Sequence, residues 1–195
     1  PVYLHDNDGD WHYRFAREYT LDLIDCPAKC LDDEVVEIHH EDILLVMDLS
    51  GSMLVESAAS GLHNNFRNMG VEIYAIVYDM LPVARPDVFP PGTEQAHAEW
   101  LKVISRFDGV VCISRTVALE YFYWHRSQGF KTARQHQIGY FHLGSDVDRA
   151  HRTIGLPVDA EKVIEQLSRK TSFLMVGTVE PRKRYLQAID AFDIL

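Results

Sequence analysis

Apolar positions along this chain follow two rhythms. Continuous apolar or β-branched runs at 43–47 (ILLVM), 71–77 (VEIYAIV), 109–113 (GVVCI), 136–142 and 172–177 predict strands, and a short run at 2–4 predicts another. Between them, apolar residues recur at helical spacing. Helices are predicted over 13–24 (Phe15, Tyr19, Leu23), 57–69 with Gly70 as its stop, 93–107, 116–127, 160–169 and from about Arg184 onward. Thr93 and Ser114 are the expected caps of two of these helices. Residues 26–41 are polar and turn-rich, and 144–157 reads as a linker. Four prolines (Pro82, Pro86, Pro90, Pro91) predict a loop over 78–92. Strands alternating with helices of ten to fifteen residues imply βαβ units and a parallel sheet, hence an α/β fold. In such sheets ligands sit beyond the carboxyl ends of the strands. That rule selects the junctions at 48–52, 78–82 and 177–183, with Ser114-Arg115 as a weaker fourth.

Composition narrows the classes. The 195 residues are 47% hydrophobic and 25% charged, which fits folded protein rather than a disordered tract. The formal charge of −10 disfavours a general nucleic-acid binder. Three cysteines, Cys26, Cys30 and Cys112, are too few and odd in number for a disulfide framework, and suit a reducing cytoplasm. The C-x3-C pair lacks a second Cys/His pair for zinc. No apolar run approaches the ~20 residues of a membrane-spanning helix. The sequence contains no P-loop and no G-x-S-x-G elbow, and His39-His40 lies in a polar loop. The chain starts at Pro1 and stops at Leu195 within an amphipathic helical pattern, so it reads as a fragment.

The junction after the 43–47 run spells Asp48-Leu49-Ser50-Gly51-Ser52, the D-x-S-x-S pattern of metal-dependent von Willebrand A domains. Magnesium needs an octahedron of hard oxygens. No threonine loop completes the set here: Thr93 opens a helix and Thr116 sits at the edge of another. Asp79 follows too early to be the late aspartate. Asp and Ser at a strand end also form turns and caps by bonding nearby amides. The motif is therefore read first as cleft backbone, with a metal-dependent binding module as the alternative.

Four other segments carry a broader resemblance. "AIVYDMLPVARPDVFP" (75–90), "DGVVCISRTVALEY" (108–121), "HLGSDV" (142–147) and "FLMVGTVEPRKRYLQAIDAFDIL" (173–195) resemble, in order and spacing, elements of retaining GT-B glycosyltransferases of the group 1 type. The last, with Gly177-Thr178-x-Glu180-Pro181-Arg182-Lys183, is the most specific. The resemblance implies a Rossmann-like acceptor-side domain over 1–169, lacking its first strand and glycine-rich loop. It implies that 170–195 open the donor-binding domain. Arg182 and Lys183 would hold the donor diphosphate, with Gly177, Thr178 and Ser114 lining the donor site. Arg can fork onto two oxygens, whereas Lys acts as a point charge.

The resemblance places Tyr78 and Asp79 beside the reacting sugar as catalytic candidates. Tyr78 stands where many relatives have histidine, and it cannot do a histidine's proton work at neutral pH. Asp79 would orient an acceptor hydroxyl or bond the donor sugar; its structural alternative is capping the loop. Ser50, Gly51 and Ser52 would line the acceptor side. The implied reaction moves a hexose from a nucleotide sugar to a glycan or lipid-linked acceptor. Mannose from GDP-mannose is suggested by likeness to O-antigen and polysaccharide assembly enzymes. No metal or other cofactor is expected, and the place of work would be the cytoplasm, at the inner face of a membrane if the acceptor is lipid-linked. The family's Glu-x7-Glu donor motif would lie beyond Leu195, so this polypeptide alone is not expected to transfer sugar.

Overall fold

The computed structural model describes residues 1–26, 31–47, 51–130, 135–144 and 156–194. Its chain divides into two compact units, Pro1–Leu143 and Gly144–Leu195.

In the first unit, β1 (Val2–Asn7) and β2 (Asp10–Phe15) form an antiparallel hairpin. Residues 10–15 alternate polar and aromatic, which is strand periodicity. The helix predicted over 13–24 therefore starts later, as α1 (Arg17–Leu23). Asp8 and Gly9 both take positive φ, 51° and 89°, in the two-residue turn, the geometry that Asp-Gly pairs supply in tight hairpins.

The main sheet has four parallel strands in chain order: β3 (Ile43–Val46), β4 (Glu72–Val77), β5 (Gly109–Cys112) and β6 (Gln137–Tyr140). This is the predicted α/β, Rossmann-like parallel sheet with flanking helices. Parallel crossovers are right-handed, so strands added successively in one direction place their helices on one face. The pairing shows that face: Leu44, Val46, Ile73, Ala75, Val77, Val110, Cys112 and Ile138 all belong to or pack on the core cluster. Ile43, Leu45, Tyr74, Ile76 and Val111 alternate with them and lie exposed or half-buried on the other face.

The helix predicted over 57–69 is two helices, α2 (Gly51–Ala59) and α3 (Leu62–Asn68). They break at Gly61, whose φ of 89° is left-handed and suits a residue without Cβ. The proline-rich segment is not loop throughout. It holds a short helix, α4 (Leu81–Ala84), and a 3-10 turn at Pro86–Val88. Pro82 and Pro86 sit in first turns, where a missing N–H costs nothing. Helix α5 (Thr93–Ile104) buries Trp100, Leu101, Val103 and Ile104. Its cap is Gly92 rather than Thr93, and no side chain bonds its first amides. Helix α6 (Arg115–Ser127) buries Ala118 and Tyr121 and follows its expected Ser114 cap.

At the amino end of the sheet, Asp108 fastens three elements. Its carboxylate accepts the Ile73 amide at 3.0 Å and pairs with Arg67 of α3 at 3.3 Å. Tyr13 of the hairpin packs on His63 and Phe66 of α3.

The second unit contains α7 (Ala160–Ser168), a 3-10 turn at Pro181–Lys183 and α8 (Tyr185–Phe192). The fifth strand expected over 172–177 is absent. Those residues have no strand pairing among the described residues, and Phe173, Leu174 and Val176 are largely exposed. A strand needs a neighbour for its amides and carbonyls, and among the described residues this unit offers none.

Candidate functional site

The carboxyl edge of the four-stranded sheet gathers the first set of candidates. Tyr78 immediately follows β4, and its hydroxyl donates to the Met47 carbonyl at 2.8 Å. Asp79 comes next; its Oδ1 accepts the Leu81 amide at 3.0 Å. That bond meets the first amide of α4, the local role expected of a short carboxylate before a turn. Ser114 stands at the end of β5 with extended backbone, and its Oγ accepts the Val117 amide at 3.2 Å. All three candidates thus have hydrogen-bond partners, local for Asp79 and Ser114 and on the neighbouring strand end for Tyr78, at the edge where ligands of parallel sheets bind. Asp48 and Ser50 of the D-x-S-x-S motif lie outside the described residues. Ser52 is in the first turn of α2 and exposed.

Beside these residues, the first turns of α2 and α5 frame a cavity of about 490 Å³. Its walls include Ser52 and Glu56 from α2, and Thr93, His97, Glu99 and Trp100 from α5. The volume falls in the ~300–1,000 Å³ range of small-molecule sites. Trp100 is 1% exposed, yet its Nε1 has no hydrogen-bond partner among the described residues. His97 Nε2 is likewise buried and unpartnered. The two rings lie 5.3 Å apart between centroids, tilted by 35°. Burial lowers the His97 pKa; the Asp79 carboxylate and backbone oppose that shift without cancelling it. The imidazole is therefore neutral at neutral pH, and it stands beside the Asp79 segment.

Neither His97 nor Trp100 was singled out from the sequence. Their spacing did carry a signal. Thr93, His97, Trp100, Leu101 and Ile104 form one helical stripe, and His97 occupies an apolar position of it. A polar ring on the core-facing stripe, close to a helix start at the carboxyl edge, is where a cleft residue belongs.

The second set lies in the other unit. Thr178 Oγ1 and Arg182 Nε both donate to the Glu180 carboxylate, each at 2.5 Å. These two bonds, Thr178 first, hold the Glu180 pKa below its usual value. The Tyr185 hydroxyl donates to the Gly177 carbonyl at 2.8 Å. A Cβ on Gly177 would stand 3.2 Å from that hydroxyl and 3.5 Å from the Lys183 stem. Gly177, Thr178, Arg182 and Lys183 are thus brought together in one turn leading into α8. Lys183 forms no ion pair among the described residues. The turn presents a lysine and an arginine at a helix start, a combination suited to phosphate oxygens.

Among the described residues, no helix is long and apolar enough to cross a membrane. No family model matches the chain, and no solved structure matches it significantly. Three curated proteins do, all serotype-specific mannosyltransferases WbdA from Escherichia coli, at 29%, 30% and 29% identity over 186 residues. The match covers 94% of this chain but 22% of each relative, so the chain spans about a fifth of the length of the curated relatives it matches. Both candidate turns, with their aspartate, tyrosine, lysine and arginine, thus belong to a chain that is similar, over nearly its whole length, to one segment of proteins named as mannosyltransferases.

Proposed function

We propose that this chain is part of a retaining GT-B glycosyltransferase that moves a hexose, mannose from GDP-mannose in the first instance, onto a glycan or lipid-linked acceptor. The observation that carries this reading is the match to three mannosyltransferases across 94% of the chain. The parallel α/β sheet and the four motif segments agree with it. A metal-binding adhesion module built on Asp48, Ser50 and Ser52 is not favoured by these relatives.

The chemistry follows from charge. As the bond from the sugar to the nucleotide diphosphate breaks, negative charge grows on the leaving oxygens. Cations fixed beside them stabilise the transition state more than the ground state. Lys183 and Arg182 supply those cations, and the backbone of the Gly177-Thr178 turn approaches the same anion. No metal is required for this step, because side-chain cations take its place. By the resemblance Ser114 belongs to the donor site, and Tyr78 and Asp79 at the end of β4 are the catalytic candidates beside the reacting sugar.

The test is transfer from labelled GDP-mannose, and from other nucleotide sugars, by the full-length protein. Lys183→Ala combined with Arg182→Ala is expected to lower transfer by at least a hundredfold. Undiminished transfer in the double variant would remove these residues from the donor site. A wild-type protein that transfers no sugar from any nucleotide donor would remove the reading itself.

A further inference from the structure

The cationic turn before α8 holds an anion of its own. The Glu180 carboxylate accepts Thr178 Oγ1 on one oxygen and Arg182 Nε on the other, each at 2.5 Å. Each donor lies two residues from Glu180 along the chain, so one short turn sets two donors on the two oxygens of one carboxylate. Bonds to a charged acceptor are the short, strong ones. The Lys183 charge also reaches this carboxylate. Thr178, Arg182 and Lys183 are the groups that a phosphate at this turn would use, and a side chain of the same turn uses them first.

The overlap is a competition, because each donor atom has one proton to give. A threonine hydroxyl carries a single proton, and so does a guanidinium Nε. Both protons go to Glu180. Thr178 cannot donate to a phosphate while Glu180 holds its hydroxyl. The guanidinium edge that includes Nε is likewise committed, and an approaching phosphate meets a like charge beside it. Glu180 has water to leave into: its side chain is 39% exposed, against 30% for Arg182. An exposed ion pair is held weakly, because solvent rehydrates and screens both partners. The exchange of one anion for another is therefore open in both directions.

We propose that Glu180 is an internal counter-anion: it occupies the anion position of this turn, is displaced by the phosphates of a bound ligand, and returns when they leave. It is a positioning residue, acting through Thr178 and Arg182. The same penalty falls on every anion. A weak binder such as inorganic phosphate is kept out of the turn, while a diphosphate, with more oxygens to offer, still binds. The returning carboxylate also lowers the affinity for a diphosphate product and so hastens its release. The proposal rests on the glycosyltransferase reading for the name of the ligand, but not for the exchange of anions at the turn.

The experiment is calorimetric titration of the full-length protein with pyrophosphate and with GDP. Glu180→Gln keeps the side-chain length and an acceptor oxygen while removing the charge. It is expected to tighten both ligands at least threefold. Thr178→Val separates exchange from a role in shaping the turn. In the wild type the hydroxyl passes from one anion to another, so its loss is expected to weaken binding less than twofold. In Glu180→Gln the hydroxyl leaves no charged partner, so the same loss is expected to cost at least fivefold, a coupling that a double-mutant cycle reads directly. Unchanged or weaker binding in Glu180→Gln overturns the proposal, and so do additive effects of the two substitutions. A protein that binds no pyrophosphate with either Glu or Gln at this position overturns it as well. Tighter pyrophosphate binding by Glu180→Gln in a protein that transfers no sugar keeps the counter-anion and sinks the transferase reading. Transfer from GDP-mannose with GDP affinity unmoved by Glu180→Gln does the reverse.

Discussion

The Tyr78 hydroxyl donates to the Met47 carbonyl at 2.8 Å, so the chain leaving β4 is tied to the chain leaving β3 at the carboxyl edge. The phenol here holds backbone in place, across a separation of 31 residues.

Tyr78→Phe is therefore expected to behave as the loss of a positioning bond. A partly exposed hydrogen bond of this kind contributes about 1 kcal/mol. The urea midpoint should fall by a correspondingly small amount. Transfer by the full-length protein should fall severalfold with its pH profile unmoved. A displaced pH optimum would mean that the phenol exchanges a proton during reaction, and the positioning role would fail.

The two cations of the Gly177–Lys183 turn are not equivalent. Arg182 Nε is engaged by Glu180 at 2.5 Å, and Thr178 holds the other Glu180 oxygen. Lys183 has no ion-pair partner among the described residues, and its stem lies against Gly177. Lys183→Ala alone should thus weaken GDP binding more than Arg182→Ala alone, by roughly tenfold against threefold. Glu180→Gln should partly release Arg182 and also remove the carboxylate's attraction for Lys183, so it should not weaken GDP. Equal losses for the two cations, read by calorimetry, would contradict this division of labour.

What the sequence disclosed tracks how many signals agreed. Strands β4 and β5 are continuous apolar runs because the sheet interior demands it, and they were legible. Ser114 was legible as a cap because its spacing to the helix is fixed by hydrogen-bond geometry. Residues 13–24 were misread because Phe15, Tyr19 and Leu23 also satisfy a helical period; the alternation from Asp10 to Phe15 and the Asp8-Gly9 turn were the stronger signals. The run at 172–177 has strand composition, but pairing is supplied by other chain segments, and composition cannot report that. His97 was passed over because its partner is a cavity wall from α2, some forty residues away in sequence. Only the packing of α2 on α5 makes the two meet.

Asp108 illustrates a buried charge held by its surroundings. The carboxylate is 6% exposed, accepts the Ile73 amide at 3.0 Å and lies 3.3 Å from Arg67. Asp108→Ala leaves the Arg67 charge and the Ile73 amide without that acceptor. Removing one partner of such a pair costs ~3–5 kcal/mol. Asp108→Asn keeps an acceptor for the amide and should cost less than Asp108→Ala. Urea unfolding of the wild type and both variants reads the order directly; equal stability of wild type and Asp108→Ala would show that the carboxylate holds nothing.

The last prediction concerns acid. His63 is buried among Tyr13, Phe66 and Phe107, with Tyr13 Oη 3.2 Å from its Nε2, and burial lowers its pKa from the usual 6.5 to about 4. Burial also lowers the pKa of His97, His125 and His136. Between pH 6.5 and about 4 the unfolded His63 takes up a proton that the folded one refuses. Protons then favour the unfolded state, so stability is full above pH 6.5 and falls as the pH drops toward 4. The slope from one such group approaches ~1.4 kcal/mol per pH unit. The urea midpoint should decline between pH 7 and pH 5, beyond what a chain titrating at ordinary values would show. His63→Gln removes this group's titration and should flatten the decline, whatever its own effect on stability at pH 7. A decline equally steep in His63→Gln would assign the acid sensitivity to the other histidines whose pKa burial lowers, His97, His125 and His136, the last two stacked 4.8 Å apart, rather than to His63.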